Sequence, residues 1–435
     1  MKRKIYKELL AWKNNGMEKP LMVIGSRQVG KTYIIKEFCE NEFDNYIEVN
    51  LQKNPNVIKI FDESISVEEK FKKMLLEIDK KYNIEKDIIF FDEIQESESL
   101  IASLKYFCES EKPYKIIAAG SLLGVKLRRF HASFPVGKVE MINMKPMDFE
   151  EFLDALGKDQ WIEEIKRCYE KNTPISIHER LLDTYRVYLY VGGMPESVKN
   201  YINVDEDIFK YNQKIKKNIV DSYIDDMSKY VKNSFESAKI EQIYKSIPSQ
   251  LGNASNKFQY AKINKNARNR DYELPLDWLI ASSMINKCTN LSTPQIPPKA
   301  FEDDNTFKLF INDVGLLITL VELKFNDVLL DKEYMFKGEI AENYIAQQLC
   351  ANDITLHYFR NDKSGIDNID IDFILYNDDG IIPIEVKAGN NTNSTSLNKF
   401  IKKYKPKYSI RISSKNFGFE NNIKSIPLYA VFCIK

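Results

Sequence analysis

Two short stretches carry side chains whose types and spacing suit phosphate or metal chemistry. The first, Gly25-Ser26-Arg27-Gln28-Val29-Gly30-Lys31-Thr32, lies between the apolar run LMVI and the helix-period run KTYIIKEFCE. The spacing G-x-x-x-x-G-K-[ST] between strand and helix lets successive backbone N–H groups converge on phosphate oxygens at a helix N-terminus. Lys31 is then placed to reach β- and γ-phosphates, and Thr32 a Mg²⁺ ion. A plain glycine turn is the competing reading, and it leaves the lysine–hydroxyl pair unexplained.

Further along, IIFFDEIQ ends an otherwise apolar strand in Asp92 and Glu93, and carboxylates are costly on such a strand without a task. At the carboxyl edge of a parallel sheet they face the ligand crevice. Asp92 is expected to hold Mg²⁺ through water and Glu93 to orient or deprotonate the attacking water; the alternative is that they only cap the next turn. Ser121, at the tip of AAGS, is expected to touch the γ-phosphate or that water, although Gly-Ser is also a common helix cap.

The second stretch is NIDIDFILYNDDGIIPIEVKAG. Its Asn-Asp-Asp-Gly turn joins two strands as a hairpin. Asp372 lies on the first strand, while Glu385 and Lys387, two apart on the second, share one face. Two carboxylates and a lysine meeting across a hairpin suit a divalent metal and an activated water. Asp370, on the same face as Asp372, is the alternative ligand, and a surface E-x-K ion pair is the competing reading.

These groups need scaffolds to hold them. A chain of 435 residues exceeds one ordinary core and implies several domains. Its 63 basic and 63 acidic residues balance, so no global field announces a nucleic-acid partner. Six dispersed cysteines and three histidines argue against a disulfide framework or zinc site and for reduced thiols. No apolar run reaches the roughly 18 residues of a membrane span, so a soluble, cytoplasmic protein without a membrane partner is expected. At the N-terminus Ile5, Leu9, Leu10 and Trp12 form an apolar helix stripe, expected to pack on the next domain rather than lie on a membrane surface. From Leu21 to about Asn143 short apolar strands alternate with helices, with Tyr33, Ile34 and Phe38 inward on the first of these, which means a parallel sheet covered on both faces. After Pro146 the period is helical, then come a hairpin near INKCTN and, from Met335, a second α/β pattern ending in an expected strand PLYAVFCI.

In order, IGSRQVGKT, IIFFDEIQ, AAGSLLG, FPVGKVEMINMKPMDFEEFL, YVGGMPESV, FKLFINDVGLL and IPIEVKAG resemble a family of bacterial and archaeal AAA+-like P-loop ATPases with a C-terminal domain of unknown function. The resemblance covers nearly the whole chain. It implies an α/β protein built from a P-loop AAA+-like domain over 1–146, a helical lid over 147–235, a winged-helix-like region over 236–330, and a restriction-endonuclease-like domain over 331–435. It also implies ATP with Mg²⁺. No arginine finger is evident from spacing: Arg128 and Arg129 follow the fourth strand, where such ATPases often place a trans-acting arginine, but solvated helix charges are the favoured reading, and Lys138 is another basic group at the site's edge. The second stretch resembles a PD-(D/E)xK nuclease site, for which Glu342 on GEIAENYIAQQL matches the helical acid. Glu342, Asp372 and Glu385 are then the expected metal ligands and Lys387 the catalytic lysine, in a live nuclease or an inactive relic. Lys262, Lys265, Arg268 and Arg270, and the run NKFIKKYKPKY, offer charge for DNA; solvated faces are the alternative. DNA, a protein partner and an oligomer are all compatible with this reading.

Overall fold

The computed structural model describes residues 1–121, 137–229, 234–253, 257–265, 267–329, 336–361, 368–388 and 395–435. Two compact units emerge: 2–145 joined by 281–283, and 146–280 with 284–435 and Met1.

The first unit is a five-stranded, all-parallel sheet in the order β2-β3-β4-β1-β5. Its strands are β1 (Leu21–Ile24), β2 (Asn45–Asn50), β3 (Asp87–Asp92), β4 (Ile116–Ala119) and β5 (Glu140–Asn143). β3 and β4 are buried along their whole length because helices cover both faces. On one face Phe61, Phe71, Phe91, Phe107 and Tyr114 pack in one cluster, with edge-on ring pairs such as Phe61–Phe91 at 6.2 Å. The helix Lys31–Glu42 turns Ile34, Ile35 and Phe38 inward. Tyr33, expected inward, is exposed, because Ile35 fills the third inward position. A helix absent from the sequence reading, Pro55–Asp62, follows β2 with proline in its first turn. At the start of the chain Ile5–Asn14 buries Ile5, Leu9 and Trp12, and Tyr6 meets Phe38 edge-on at 5.7 Å.

The second unit carries an eight-stranded sheet in the order β12-β13-β11-β10-β9-β8-β6-β7. These are β6 (Ile285–Leu291), β7 (Glu302–Ile311), β8 (His357–Arg360), β9 (Asp370–Asn377), β10 (Gly380–Val386), β11 (Ser409–Ser413), β12 (Gly418–Glu420) and β13 (Ile423–Pro427). The hairpin expected as a wing is present as β6–β7, but β6 also pairs in parallel with β8. One sheet therefore runs across the boundary placed at 330/331. The apolar run PLYAVFCI is not a strand: Leu428–Cys433 is a buried 3₁₀ segment after β13, enclosed on all sides rather than on two faces.

The helix Lys337–Ala351 is buried nearly all round, and its polar residues take up backbone groups at the end of β7 and at the N-termini of two helices, Val314–Leu320 and Phe149–Ala155. Asn343 accepts from Ile311 N at 2.8 Å and donates to Ile311 O at 3.0 Å. Gln347 accepts from Val314 N at 2.8 Å and Gln348 from Phe149 N at 2.9 Å. Asp313 Oδ2 accepts from Gly193 N at 2.6 Å. A Cβ on Gly193 would stand 2.0 Å from Met147 O, and one on Gly192, at φ +78, would stand 2.4 Å from Asp313 Oδ1. The motifs YVGGMPESV and FINDVGLL are thus packing devices.

Candidate nucleotide site and a second carboxylate centre

The loop after β1 has the backbone a phosphate cradle needs. Gly25 sits at φ +143, Gln28 at +64 and Gly30 at +97, and Gly30 caps the helix that starts at Lys31. A Cβ on Gly25 would stand 2.1 Å from Met144 O, so no other residue fits there. Two positions already counted in the motif thus have a steric reason as well as a chemical one.

Lys31 is buried and donates to Gly25 O at 2.9 Å and Ser26 O at 2.8 Å. Thr32 Oγ1 lies 3.2 and 3.3 Å from the two oxygens of Asp92. Burial, with the charge of Glu93 added, raises the Asp92 pKa against the lowering pull of its hydrogen bonds from Asn50, Thr32 and the Glu93 backbone. The donors that meet it are neutral: Asn50 Nδ2 at 3.1 Å, Thr32 Oγ1, and Glu93 N at 3.1 Å. A buried carboxylate beside a hydroxyl, satisfied by neutral donors, fits a hard divalent cation. Glu93 adopts the left-handed conformation at φ +55, a strained backbone for a glutamate, and Gln95 Nε2 holds its Oε2. Ser121 Oγ is buried with no hydrogen-bond partner among the described residues.

Three residues at this site escaped the sequence reading. Asn50 ends β2 as Asp92 ends β3, and the register places them opposite each other. Gln95 is fully buried two residues after Glu93. Arg3 reaches Val29 O at 2.8 Å and Lys145 O at 2.6 Å, bracing the loop from the N-terminal segment. A polar residue ending a neighbouring strand was a usable signal for Asn50; nothing local marked Arg3. Arg128 and Arg129 lie outside the described residues. Lys138 pairs with Glu109 at 3.1 Å, both partly exposed.

The hairpin β9–β10 brings the second set together. Asp372 Oδ2 accepts from Val386 N at 2.7 Å, and Lys387 Nζ lies 2.8 Å from Glu385 Oε1. Burial, then the charges of Glu342 and Glu385, push the Asp372 carboxyl well above its ordinary range. Asp370 instead faces Arg360, at 3.3 Å. The unforeseen member is Lys308 on β7. Only 3% of its side chain is exposed, and its Nζ lies 3.2 Å from Glu342 Oε2. Burial works against its charge, but Glu342, Asp372 and Asp370 outweigh that and hold its pKa above the ordinary value. The signal was in the sequence: one lysine inside the apolar run FKLFI, the same kind of misfit that marks Asp92. Among the described residues no group of three or more His, Cys, Asp or Glu side chains is placed to hold a metal ion. Glu342 and Glu385 instead face ammonium groups, Lys308 and Lys387, while Asp372 accepts from Val386 N.

The exposed charges lie where solvent reaches them. Lys262, Lys265 and Arg268 are exposed ahead of a helix, Asn269–Ala281, and Arg270 is exposed in its first turn, while the helix buries Tyr272, Leu276, Trp278 and Leu279. In NKFIKKYKPKY, Lys402, Lys403, Lys405 and Lys407 are exposed while Leu397 and Phe400 pack inward. Among the described residues no helix is long and apolar enough to cross a membrane.

Comparison with known proteins gives three consecutive family matches. Residues 17–153 match an AAA domain, 182–327 a domain of unknown function (DUF8612), and 337–431 a domain of unknown function (DUF4143). No curated protein matches the chain. Among solved structures, the Walker-type ATPase paby2304 of Pyrococcus abyssi aligns with TM-score 0.44 and 18% identity over 74% of this chain and 96% of that one. The ORC2 protein of Aeropyrum pernix, in ADPNP and ADP complexes, aligns with TM-score 0.40 and 13% identity over 76% and 94%. Cradle, paired acids and family match agree that residues 17–153 form an AAA-type P-loop domain.

Proposed function

We propose that this chain is a Mg²⁺-dependent ATPase whose second unit is a nuclease-like module that engages DNA or a protein partner. The observation that carries the reading is Thr32 Oγ1 against the buried Asp92 carboxylate, beside a loop built for phosphate. Thr32 and Asp92 would hold the ion, which when bound neutralises charge developing on the β- and γ-phosphates.

The chain's own groups do the rest. Loop N–H groups from Gly25 to Thr32 bind the phosphate oxygens. Lys31 turns part of its hydrogen-bonding from the Gly25 and Ser26 carbonyls to the β/γ-phosphates. Glu93, anchored by Gln95, orients a water for in-line attack and accepts its proton. Ser121 donates its hydroxyl proton to a γ-phosphate oxygen or to that water. Lys31→Ala is expected to abolish nucleotide binding, and Glu93→Gln to keep binding while stopping turnover. Full hydrolysis by the Glu93→Gln protein would remove Glu93 from this role.

The reading without DNA cleavage is favoured by one observation: Lys308 lies among the carboxylates that a nuclease would offer to metal. The exposed lysines of the Thr395–Tyr404 helix and its flank then supply phosphate contacts without chemistry. Binding of labelled linear, branched and supercoiled DNA, with and without ATP, tests this. DNA binding without cleavage supports the module. Cleavage that disappears in an Asp372→Ala/Glu385→Ala protein refutes it.

A further inference from the structure

We infer that Lys308 is a tethered cation that closes the carboxylate centre of the second unit, in the place a divalent metal would otherwise take. A lysine this buried stays charged only when paired, and its ammonium lies 3.2 Å from Glu342 Oε2 and 5.0 Å from the Tyr358 ring centroid. Lys387 holds Glu385 in the same way at 2.8 Å. Asp372 already spends one oxygen on Val386 N.

Charge decides between ammonium and metal. Glu342 and Glu385 are each already paired with an ammonium, Lys308 and Lys387. A divalent ion entering between them would add an excess of positive charge beside those two ammonium groups. With Lys308 replaced by a neutral side chain Glu342 loses its counter-charge, which a divalent ion would restore. Glu385 Oε2, buried without a hydrogen-bond partner among the described residues, is the oxygen that would receive it.

The test is Mn²⁺ titration into nucleotide-free Lys31→Ala protein, reading free Mn²⁺ by electron paramagnetic resonance and stability by thermal unfolding. This background removes the phosphate lysine and adds no ATP, so the result stands whether or not the ATPase reading does. With Lys308 intact, Mn²⁺ uptake is expected to equal that of the same protein carrying Glu385→Gln. Lys308→Met is expected to gain one bound equivalent, and to lose it again with Glu385→Gln. Uptake that depends on Glu385 while Lys308 is present would overturn the inference, as would a folded Lys308→Met protein that gains nothing. If Lys308→Met does not fold, the comparison with Lys308 intact decides alone: equal uptake with and without Glu385→Gln supports the inference, and unequal uptake refutes it.

Discussion

Asp92 shows how a single side chain is prepared by its neighbours. Its two oxygens are fixed by Asn50, Thr32 and the Glu93 backbone, so it meets a cation without reorganising. If Asp92 holds the ion as proposed, Asn50→Ala removes a hydrogen-bond partner of that ligand, an effect typically worth 10–100-fold in metal affinity. We expect the Mg²⁺ concentration for half-maximal ATP turnover to rise by about that factor, with the rate at saturating Mg²⁺ largely kept. A second buried group carries a pH signature. Lys216 donates to Tyr190 O, lies 3.9 Å from the Tyr190 ring centroid, and is pushed down to about 7 by burial, partly offset by Asp313. The folded state thus binds fewer protons than the unfolded chain between about pH 7 and the unperturbed lysine value of roughly 10.4. Stability from this group must therefore rise with pH across that window, by at most a few kcal/mol, and level off below it. The slope of urea midpoints against pH from 7 to 10 should be more positive in the native protein than in Lys216→Met, a difference that cancels the opposing contribution of buried thiols such as Cys39 and Cys288.

At the scale of elements, the P-loop sheet was legible because β1, β2 and β3 are short and each leads on to a helix. The order of those strands was not, since register and neighbours are set by packing that no single segment records. The second sheet was legible only in parts. Period-two patterning and the turn between them identified β9 and β10, but nothing in INKCTN revealed that β6 would pair in parallel with His357 and Tyr358. PLYAVFCI misled because a fully enclosed 3₁₀ segment and a buried strand share one apolar composition. Lys308 was missed at the same scale, because its partner Glu342 lies on a helix that follows it in sequence and crosses it only in the fold. The double glycine has a plain consequence: Gly193→Ala drives a Cβ into Met147 O. Overpacking of this kind costs about 1–3 kcal/mol, and chemical denaturation should show the loss while nucleotide affinity stays unchanged.

For the whole molecule, the three family matches follow one another along the chain while the structure has two compact units. The boundary between the two domains of unknown function, after 327 and before 337, falls between β7 and β8 of one sheet. ATP with Mg²⁺ at a hundred times its dissociation constant should stabilise the native state by about 2.7 kcal/mol. Hydrogen exchange is expected to slow at the Gly25–Thr32 loop and the ends of β2 and β3, and to be unaffected by ATP in the Lys31→Ala protein.

The long-range bonds of the second unit also govern how the chain is born. Phe149 N waits for Gln348, 199 residues later; the Ile175 backbone waits for Asn416, 241 later; and His178 waits for Tyr429, 251 later. The strands of the first sheet are all made by residue 143, whereas the helices from Phe149 onward cannot complete their hydrogen bonding until residues 348 to 429 have left the ribosome. During synthesis those helices must pass a long interval with apolar faces uncovered, a state prone to association with other chains. A stop codon shortly before Asn416 would consequently damage residues 149–191 more than the nucleotide cradle, although the cradle lies closer to them in sequence.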